Sequence, residues 1–280
     1  MANDSVAVII SVYSSEVADR LDSCLKSLKE QTYNNIHVYL AKDGPLTTEL
    51  DKVINDYISN PNINLTAISY NQNAGLSVRL NDLIKKISNQ YEFIARMDSD
   101  DYSIHDRIEK QITYMKKHKH VDALGGSIIE VNANGDHLKE INYPRNNKEM
   151  IPRFVKRNIM GHVTVMYRSR YFSKAGLYPV TLRKWSNNIA LPVEDTLMWL
   201  EGLTNGCILV NLQEPLVYVT ASDDYFSRRA GIRLAFVEYQ IRNQIVARLE
   251  QPFYQYIYAL MYFIARILPS PIKKIIWKLR

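Results

Sequence analysis

The sequence predicts an α/β fold with a mostly parallel central sheet that is flanked by helices. Strand-like and helix-like segments alternate through the first 130 residues, which is the order expected of β–α–β units. The 280 residues are 46% hydrophobic and 23% charged, a composition typical of a globular chain with a substantial core. No apolar run reaches the length of a membrane span, so none is predicted.

The predicted elements alternate along the chain. Runs of apolar residues predict strands at 7–12, 35–41, 63–70, 91–97 and 123–131. Apolar residues at helical spacing predict intervening helices around 21–28, 50–57, 76–87 and 104–115. Beyond residue 131 the pattern predicts a helix near 150–156, a strand at 163–167 and a loop at 179–192. A helix starting at Glu194 and a strand at 207–210 are predicted next. A mobile loop at 220–228 and further helices complete the predicted order.

Polar residues follow the first four predicted strands, at 13–16, at Asp43, at 71–73 and at 98–101. Ligands of open parallel sheets bind outside the carboxyl ends of the strands. Because these four groups come at such ends, the topology predicts a binding site along one edge of the sheet.

The acidic cluster MDSDD at 97–101 is the sharpest feature. Its three carboxylates repel one another unless a cation lies among them, and Mg²⁺ or Mn²⁺ prefers carboxylate oxygen. The alternative is a solvated acidic turn that caps the next helix, because Asp is a favoured N-cap residue. The preceding strand and the neighbouring polar loops favour the metal site.

A second acidic pair, Glu194 and Asp195, lies at a predicted helix start, where the helix dipole alone favours acids. A carboxylate that faces the binding edge would instead act as a general base toward an attacking hydroxyl group. His162 precedes a predicted strand and is expected to be a local hydrogen-bonding residue. The sequence contains no Gly-rich phosphate loop, so a bound nucleotide would be held by metal and carboxylates.

The net charge of +6 is unevenly distributed, because residues 251–280 contain five basic residues and no acid. The nearly neutral remainder argues against binding to nucleic acid. Within 272–279, apolar residues recur at helical spacing and lysines fall largely on the other side, which predicts a helix lying in a membrane interface. The alternative is an amphipathic helix packed on the domain, with a solvated basic face.

Cys24 and Cys207 lack the spacing of a metal or redox motif and are expected to be reduced, buried residues. The N-terminus has no positively charged region ahead of its short apolar run and does not predict a secretory signal. Together these features predict a cytoplasmic location.

Six segments resemble the family 2 glycosyltransferases of the GT-A fold, in particular the bacterial branch that assembles O-antigen, capsule and other exopolysaccharides. They are AVIISVYSSE at 7–16, KDGP at 42–45, NAGLSVRLND at 73–82, IARMDSDDYSIHDRIEKQ at 94–111, GHVTVMYRS at 161–169 and VEDTLMWL at 193–200. The resemblance extends over about residues 6–219, and the fourth segment is highly specific. Lys42 and Pro45 stand where the family usually has Asp and Ser, whereas Asp43 is retained.

The resemblance implies roles for the matching residues. Asp43 would bond the uracil edge of the donor, and Arg79 would lie near its diphosphate. Asp195 would be the general base, and Glu194 and His162 would border the acceptor. The implied donor-binding residues are Ser11, Tyr13, Asp43, Arg79, Asp98 and Ser99, and the implied ligands of Mn²⁺ or Mg²⁺ are Asp98 and Asp100.

The resemblance also implies inverting transfer of galactose or glucose, in β linkage, from a UDP-sugar to a polyprenyl-diphosphate-linked saccharide. The GT-A domain would occupy 1–219, with a nucleotide-sugar-binding half at 1–131 and an acceptor-binding half at 132–219. Residues 220–280 would form a mobile loop and C-terminal helices. Residues 253–280 would contact the anionic cytoplasmic face of the inner membrane. No nucleic-acid partner is expected, and the oligomeric state stays open.

Two other functions stay open at this point. A nucleotidyltransferase on a similar sheet would need a Gly-rich basic loop after the first strand, which the sequence lacks. A catalytically silent sugar-nucleotide-binding subunit, anchored by its tail, would have no need to keep Asp98, Asp100 and Asp195 together.

Overall fold

Four parallel strands form the N-terminal part of the sheet, as the sequence predicts. The computed structural model describes residues 4–132, 134–180, 193–221 and 232–267. The four strands are β1 (Val6–Val12), β2 (Ile36–Lys42), β3 (Asn64–Ser69) and β4 (Phe93–Arg96). They lie in the order β3-β2-β1-β4, and each neighbouring pair is parallel.

Beyond β4 the same sheet becomes mixed. Its further strands are β5 (Tyr102–Ser103), β6 (Ala123–Val131), β7 (His137–Ile141), β8 (Met166–Arg168) and β9 (Leu209–Thr220). The order continues as β4-β8-β6-β9-β5, with β7 paired to β6. Only β6 and β9 pair in parallel in this part, whereas the other pairs are antiparallel. One sheet therefore runs through both predicted halves of the domain.

Helices cover both faces of the sheet, because alternate residues of the buried strands point to opposite sides. Val8 and Ile10 of β1 belong to the core on one face, and Ala7 and Ile9 belong to the core on the other. The helices are α1 (Ala18–Lys29), α2 (Thr48–Ile58), α3 (Leu76–Ile87), α4 (Arg107–Lys117), α5 (Asn147–Arg153), α6 (Arg170–Ala175), α7 (Glu194–Thr204), α8 (Ile232–Arg248) and α9 (Gln255–Ile267).

The strand prediction at 163–167 is wrong in its first half. Residues His162–Thr164 form a 3₁₀ turn, and the strand begins only at Met166. The threonine hydroxyl at position 164 donates to the carbonyl of Gly161, a local bond that competes with strand pairing. The strand predicted at 207–210 extends much further, as β9.

The predictions about the cysteines and about membrane spans can be compared with the described residues. Cys24 and Cys207 are buried free thiols, as predicted. Within the described ranges, every helix is too short or too polar to cross a membrane. The predicted loops at 179–192 and 220–228 lie mostly outside the described residues, as does the whole of the helix predicted at 272–279.

Candidate functional site

The carboxyl ends of β1, β2 and β4 bring the predicted polar groups to one edge of the sheet. Ser11 lies near the end of β1 and is partly buried, and Tyr13 follows that strand with 46% of its surface exposed. Asp43 follows β2 directly, and residues 98–101 follow β4 after one intervening residue. The exposed Tyr13 ring lies at the same edge as polar groups such as Asp43. This combination suits a ligand that has a flat, partly apolar portion.

Asp98, Asp100 and Asp101 form an acidic triad at this edge. One carboxylate oxygen from each lies within 4.8 Å of the others. Burial raises the pKa of Asp98 and raises that of Asp101 well above its usual range, and the mutual repulsion of the three acids adds to the rise. Three crowded carboxylates, of which Asp98 and Asp101 are costly to ionise, are a donor set suited to a hard divalent cation.

The acidic turn is fixed from two sides. Asp101 accepts a hydrogen bond from the backbone N–H of Thr220 in β9 at 3.0 Å, and the carbonyl of Asp100 accepts one from the Thr220 hydroxyl at 3.1 Å. On the other side, the Ser99 hydroxyl donates to Glu16 at 2.6 Å. The triad is thus held between the loop after β1 and a strand of the predicted acceptor-binding half.

Asp43 and Arg79 form a buried ion pair beside the triad's edge of the sheet. Asp43 accepts bonds from the N–H groups of Ala74 and Gly75 at 2.6 and 2.7 Å, and from Nε of Arg79 at 2.7 Å. The guanidinium also bonds Asp82 and a backbone carbonyl. These contacts lock the start of α3 onto the end of β2, so the two predicted donor-binding residues act as one rigid unit.

Glu194 and Asp195 begin α7, as predicted. Asp195 accepts a hydrogen bond from the Asn158 side chain at 2.6 Å through one oxygen, and from the N–H of Thr196 at 2.6 Å through the other. Burial, followed by the charge of Asp195, raises the pKa of Glu194 to about 7. The pair combines an oriented carboxylate with a neighbour that titrates near neutral pH, which is suited to general-base chemistry.

The Glu194 pKa predicts a pH effect on turnover. We expect kcat to rise severalfold as the pH rises through about 7, because ionised Glu194 places a negative charge beside the carboxylate predicted to be the base. In Glu194→Gln this step should disappear and leave a flat profile from pH 6 to 8. The control is Glu109→Gln, at an exposed position of α4, which should keep the step. A step that survives in Glu194→Gln would assign the titration to another group.

His162 belongs to a buried polar cluster next to α7. Its Nε2 shares a hydrogen bond with the Tyr178 hydroxyl at 2.8 Å, and that hydroxyl is 2.9 Å from the hydroxyl of Tyr167. Its ring also packs edge-on against Trp199 of α7. Burial, followed by the positive charge of Arg96, lowers the pKa of His162 well below its usual range. The imidazole is therefore neutral and acts as a hydrogen-bonding group.

Arg96 interacts electrostatically with the triad and with Glu194 and His162. It ends β4, is only 2% exposed and donates to the Asp98 carboxylate. Its charge also opposes the effect of burial on the pKa of Glu194 and of Tyr178. Among the described residues its Nε has no hydrogen-bond partner. A buried guanidinium thus lies within electrostatic reach of both acidic groups.

Among the residues that act on the acidic groups, sequence reasoning missed Arg96, Asn158 and Thr220. Arg96 carried a signal, because a lone cation in an apolar strand needs a nearby acid when it is buried. Asn158 and Thr220 carried no such signal in the sequence. Asn158 is 37 residues from its partner Asp195, and Thr220 is 119 residues from its partner Asp101, so each pair meets only in the folded chain.

Comparison with known proteins defines the class of this protein. The family model described as glycosyl transferase family 2 matches residues 7–175, more than half of the chain. The chain therefore belongs to glycosyl transferase family 2, and the resemblance seen in its sequence is confirmed.

Two relatives align along most of the chain. The amylovoran biosynthesis glycosyltransferase AmsE of Erwinia amylovora is 28% identical over 274 residues, which cover 97% of each chain. The UDP-Gal:alpha-D-GlcNAc-diphosphoundecaprenol beta-1,3-galactosyltransferase of Escherichia coli is 26% identical over 232 residues, which cover 83% of this chain and 80% of the relative.

Solved structures share the fold. TarS 1-349 of S. aureus, in complex with UDP, aligns with a TM-score of 0.60 at 20% identity and covers 94% of this chain and 81% of its own. The mannosyltransferase PcManGT of Pyrobaculum calidifontis, in complex with GDP-Man and Mn²⁺, aligns with a TM-score of 0.65 at 14% identity over 98% of this chain and 78% of its own. The expected GT-A fold is confirmed.

Proposed function

We propose that this protein is an inverting, metal-dependent hexosyltransferase. It moves galactose or glucose, in β linkage, from a UDP-sugar to a polyprenyl-diphosphate-linked saccharide in the synthesis of bacterial O-antigen or capsule. The observation that carries the proposal is the acidic triad, whose Asp98 is bonded by Arg96, a buried cation that also acts electrostatically on Glu194. The names of the two relatives support the pathway and the kind of acceptor.

The donor would bind at the carboxyl ends of β1 to β4, within residues 1–131. Tyr13 offers an exposed ring for the base, and Ser11 lies beside it in β1. The locked Asp43–Arg79 pair would form the wall that meets the uracil edge and the diphosphate. A TarS structure that shares the fold contains UDP, which supports this class of donor.

Asp98 and Asp100 would hold a divalent cation, Mn²⁺ or Mg²⁺, with Asp101 behind them. The crowding and burial of these carboxylates fit such an ion, and a mannosyltransferase of the same fold contains Mn²⁺. The ion would stabilise the charge that develops on the leaving nucleoside diphosphate.

Asp195 would accept the proton of the acceptor hydroxyl, whose oxygen attacks the anomeric carbon on the face opposite the leaving group. The bond from Asn158 and the bond from the N–H of Thr196 orient the carboxylate for this transfer. Glu194 adds negative charge beside this carboxylate when it is ionised, and neutral His162 lines the acceptor side. These groups lie within residues 132–219, which would be the acceptor-binding half.

The direct test is release of UDP from UDP-galactose and UDP-glucose in the presence of a short lipid-linked saccharide. We expect release only with both acceptor and Mn²⁺ or Mg²⁺, and its loss when the metal is chelated. A silent sugar-nucleotide-binding subunit would bind the donor without release. A nucleotidyltransferase would instead form pyrophosphate from UTP and a sugar phosphate. Analysis of the product linkage then tests the inversion and the identity of the sugar.

A lipid-linked acceptor requires the protein to work at a membrane. We therefore propose peripheral association with the anionic cytoplasmic face of the inner membrane through residues 253–280. The absence of any acid after residue 250 and the five basic residues there support this location.

A further inference from the structure

The helix α9 exposes apolar side chains to solvent, whereas an ordinary surface helix exposes polar ones. The apolar side chains exposed from residue 253 onward share one side, and their exposed fractions run from 41% to 81%. No charged side chain is exposed among the described residues from Pro252 to the end of α9. We call this side, together with the two residues that precede the helix, the outward face of α9, and its members are Phe253, Tyr254, Ile257, Tyr258, Leu260, Met261, Ile264 and Ile267.

Gln255 and Arg266 of α9 lie on its inward side instead. Gln255 is 2% exposed and donates to the carbonyl of Pro152, and Ala259 is fully buried. Arg266, the one charged residue of the helix, is partly buried and forms an ion pair with Glu238 of α8 at 3.2 Å. The inward side thus has its own polar and packing contacts, so the outward face is not an unformed core.

The surroundings of the outward face suit a phospholipid surface better than a protein partner. Its aliphatic centre is accompanied by Tyr254 and Tyr258, the kind of residue that places an apolar ring and a polar hydroxyl at a membrane interface. The ammonium of Lys156 lies 4.1 Å from the centre of the Tyr258 ring. Glu238 of α8 and Glu201 of α7 are each paired with an arginine, so neither carries an unpaired negative charge that would repel an anionic lipid.

The same helices are attached to the elements that carry the candidate base. The Arg242 side chain of α8 donates to the carbonyl of Val155 and stacks on Tyr262 of α9. Arg248 of α8 forms two bonds, of 2.6 and 2.7 Å, with Glu201 of α7. Asp195 begins α7, and the partner of Asp195, Asn158, follows Val155 by three residues. The outward face is therefore fixed to the acceptor side of the site.

We propose that the outward face of α9 is the surface that enters a phospholipid bilayer interface and holds the acceptor side of the site against the lipid. The inference rests on the proposed membrane association and names the part of the chain that makes it. Burial of this aliphatic and aromatic surface supplies attraction to any phospholipid, whereas the basic residues of 273–280 add attraction to anionic lipid.

The test is sedimentation with vesicles of phosphatidylcholine alone and of phosphatidylcholine with phosphatidylglycerol. The variant Ile257→Glu/Met261→Glu/Ile264→Glu should lose at least about tenfold in binding to both vesicles, because three charges enter the apolar face. The full-length variant Lys273→Gln/Lys274→Gln/Lys278→Gln should lose only the enhancement by anionic lipid. The matched control is Ile58→Glu at the end of α2, since Ile58 is 47% exposed and Ile264 is 46% exposed.

Activity separates this inference from the proposed function. UDP release with a soluble saccharide should be equal in all these variants, whereas release with lipid-linked acceptor in vesicles should fall in the α9 variant. Vesicle binding by the α9 variant equal to that of wild type would overturn the inference. The inference would also be overturned if the α9 variant converted a dimer to a monomer and left vesicle binding unchanged. The outward face would then be the contact surface for a second copy of the chain. Absence of UDP release from wild type contradicts the proposed function alone, since vesicle binding is measured without substrate.

Discussion

Replacement of Asp195 by asparagine should lower kcat by about a thousandfold, in the middle of the range that a positioned general base contributes. The amide keeps the size of the side chain but cannot take a proton from the acceptor hydroxyl. Donor binding should stay at the wild-type level, because Asp195 contacts Asn158 and Thr196 and belongs to the half proposed to bind the acceptor. The measurements are UDP release under saturating substrates and calorimetric titration with UDP-sugar.

Two further variants separate loss of the base from loss of its surroundings. Asn158→Ala removes the 2.6 Å bond to Asp195 and should cost about tenfold in kcat, the equivalent of one hydrogen bond to a charged group. Asp56→Asn, at an exposed position of α2, should leave kcat unchanged. Turnover of Asp195→Asn close to that of wild type would exclude Asp195 as the base and direct attention to Glu194.

The core elements could be predicted because their signals are local. The boundaries of α3 and β6 agree with the sequence patterns to the residue, since a buried strand or an amphipathic helix repeats its pattern along its own length. By contrast, β5 has two residues and exists through its pairing with β9, and β7 is an exposed edge strand with little apolar pattern. The length of β9 depends on β6, with irregular register near Pro215.

The residues of the candidate site also fall into those that local sequence indicates and those that only the fold reveals. Asp98, Asp100 and Asp195 stand in continuous motifs, so a sequence can indicate them. Their supporting residues are defined by three-dimensional contact, as in the bond from Asn158 to Asp195. The role of Arg96 could not be predicted from the sequence either. The charge of Arg96 acts on both acidic groups only because the fold brings the end of β4 close to the start of α7.

Replacement of Asp100 by alanine should abolish metal-dependent donor binding and, at the same time, stabilise the metal-free protein. Within the described part of the chain, Asp98 and Asp101 have donors in Arg96 and Thr220, whereas the Asp100 carboxylate has none. Its removal therefore deletes a ligand and relieves repulsion without leaving a donor unpaired. We expect at least about a tenfold loss in Mn²⁺ affinity and a gain on the order of 1 kcal/mol in the metal-free free energy of unfolding.

The two effects are measured together by thermal unfolding with and without Mn²⁺ and by calorimetry with UDP-sugar. Burial raises the pKa of Asp98 and Asp101, and the Asp100 charge adds to both rises, so the gain should shrink as the pH falls and the acids become protonated. Asp56→Ala, at an exposed position of α2, should respond to Mn²⁺ like wild type. Equal stabilisation of Asp100→Ala and wild type by Mn²⁺ would remove Asp100 from the metal site. A higher melting temperature of the metal-free variant would still show that the triad repels itself, because that repulsion needs no ion.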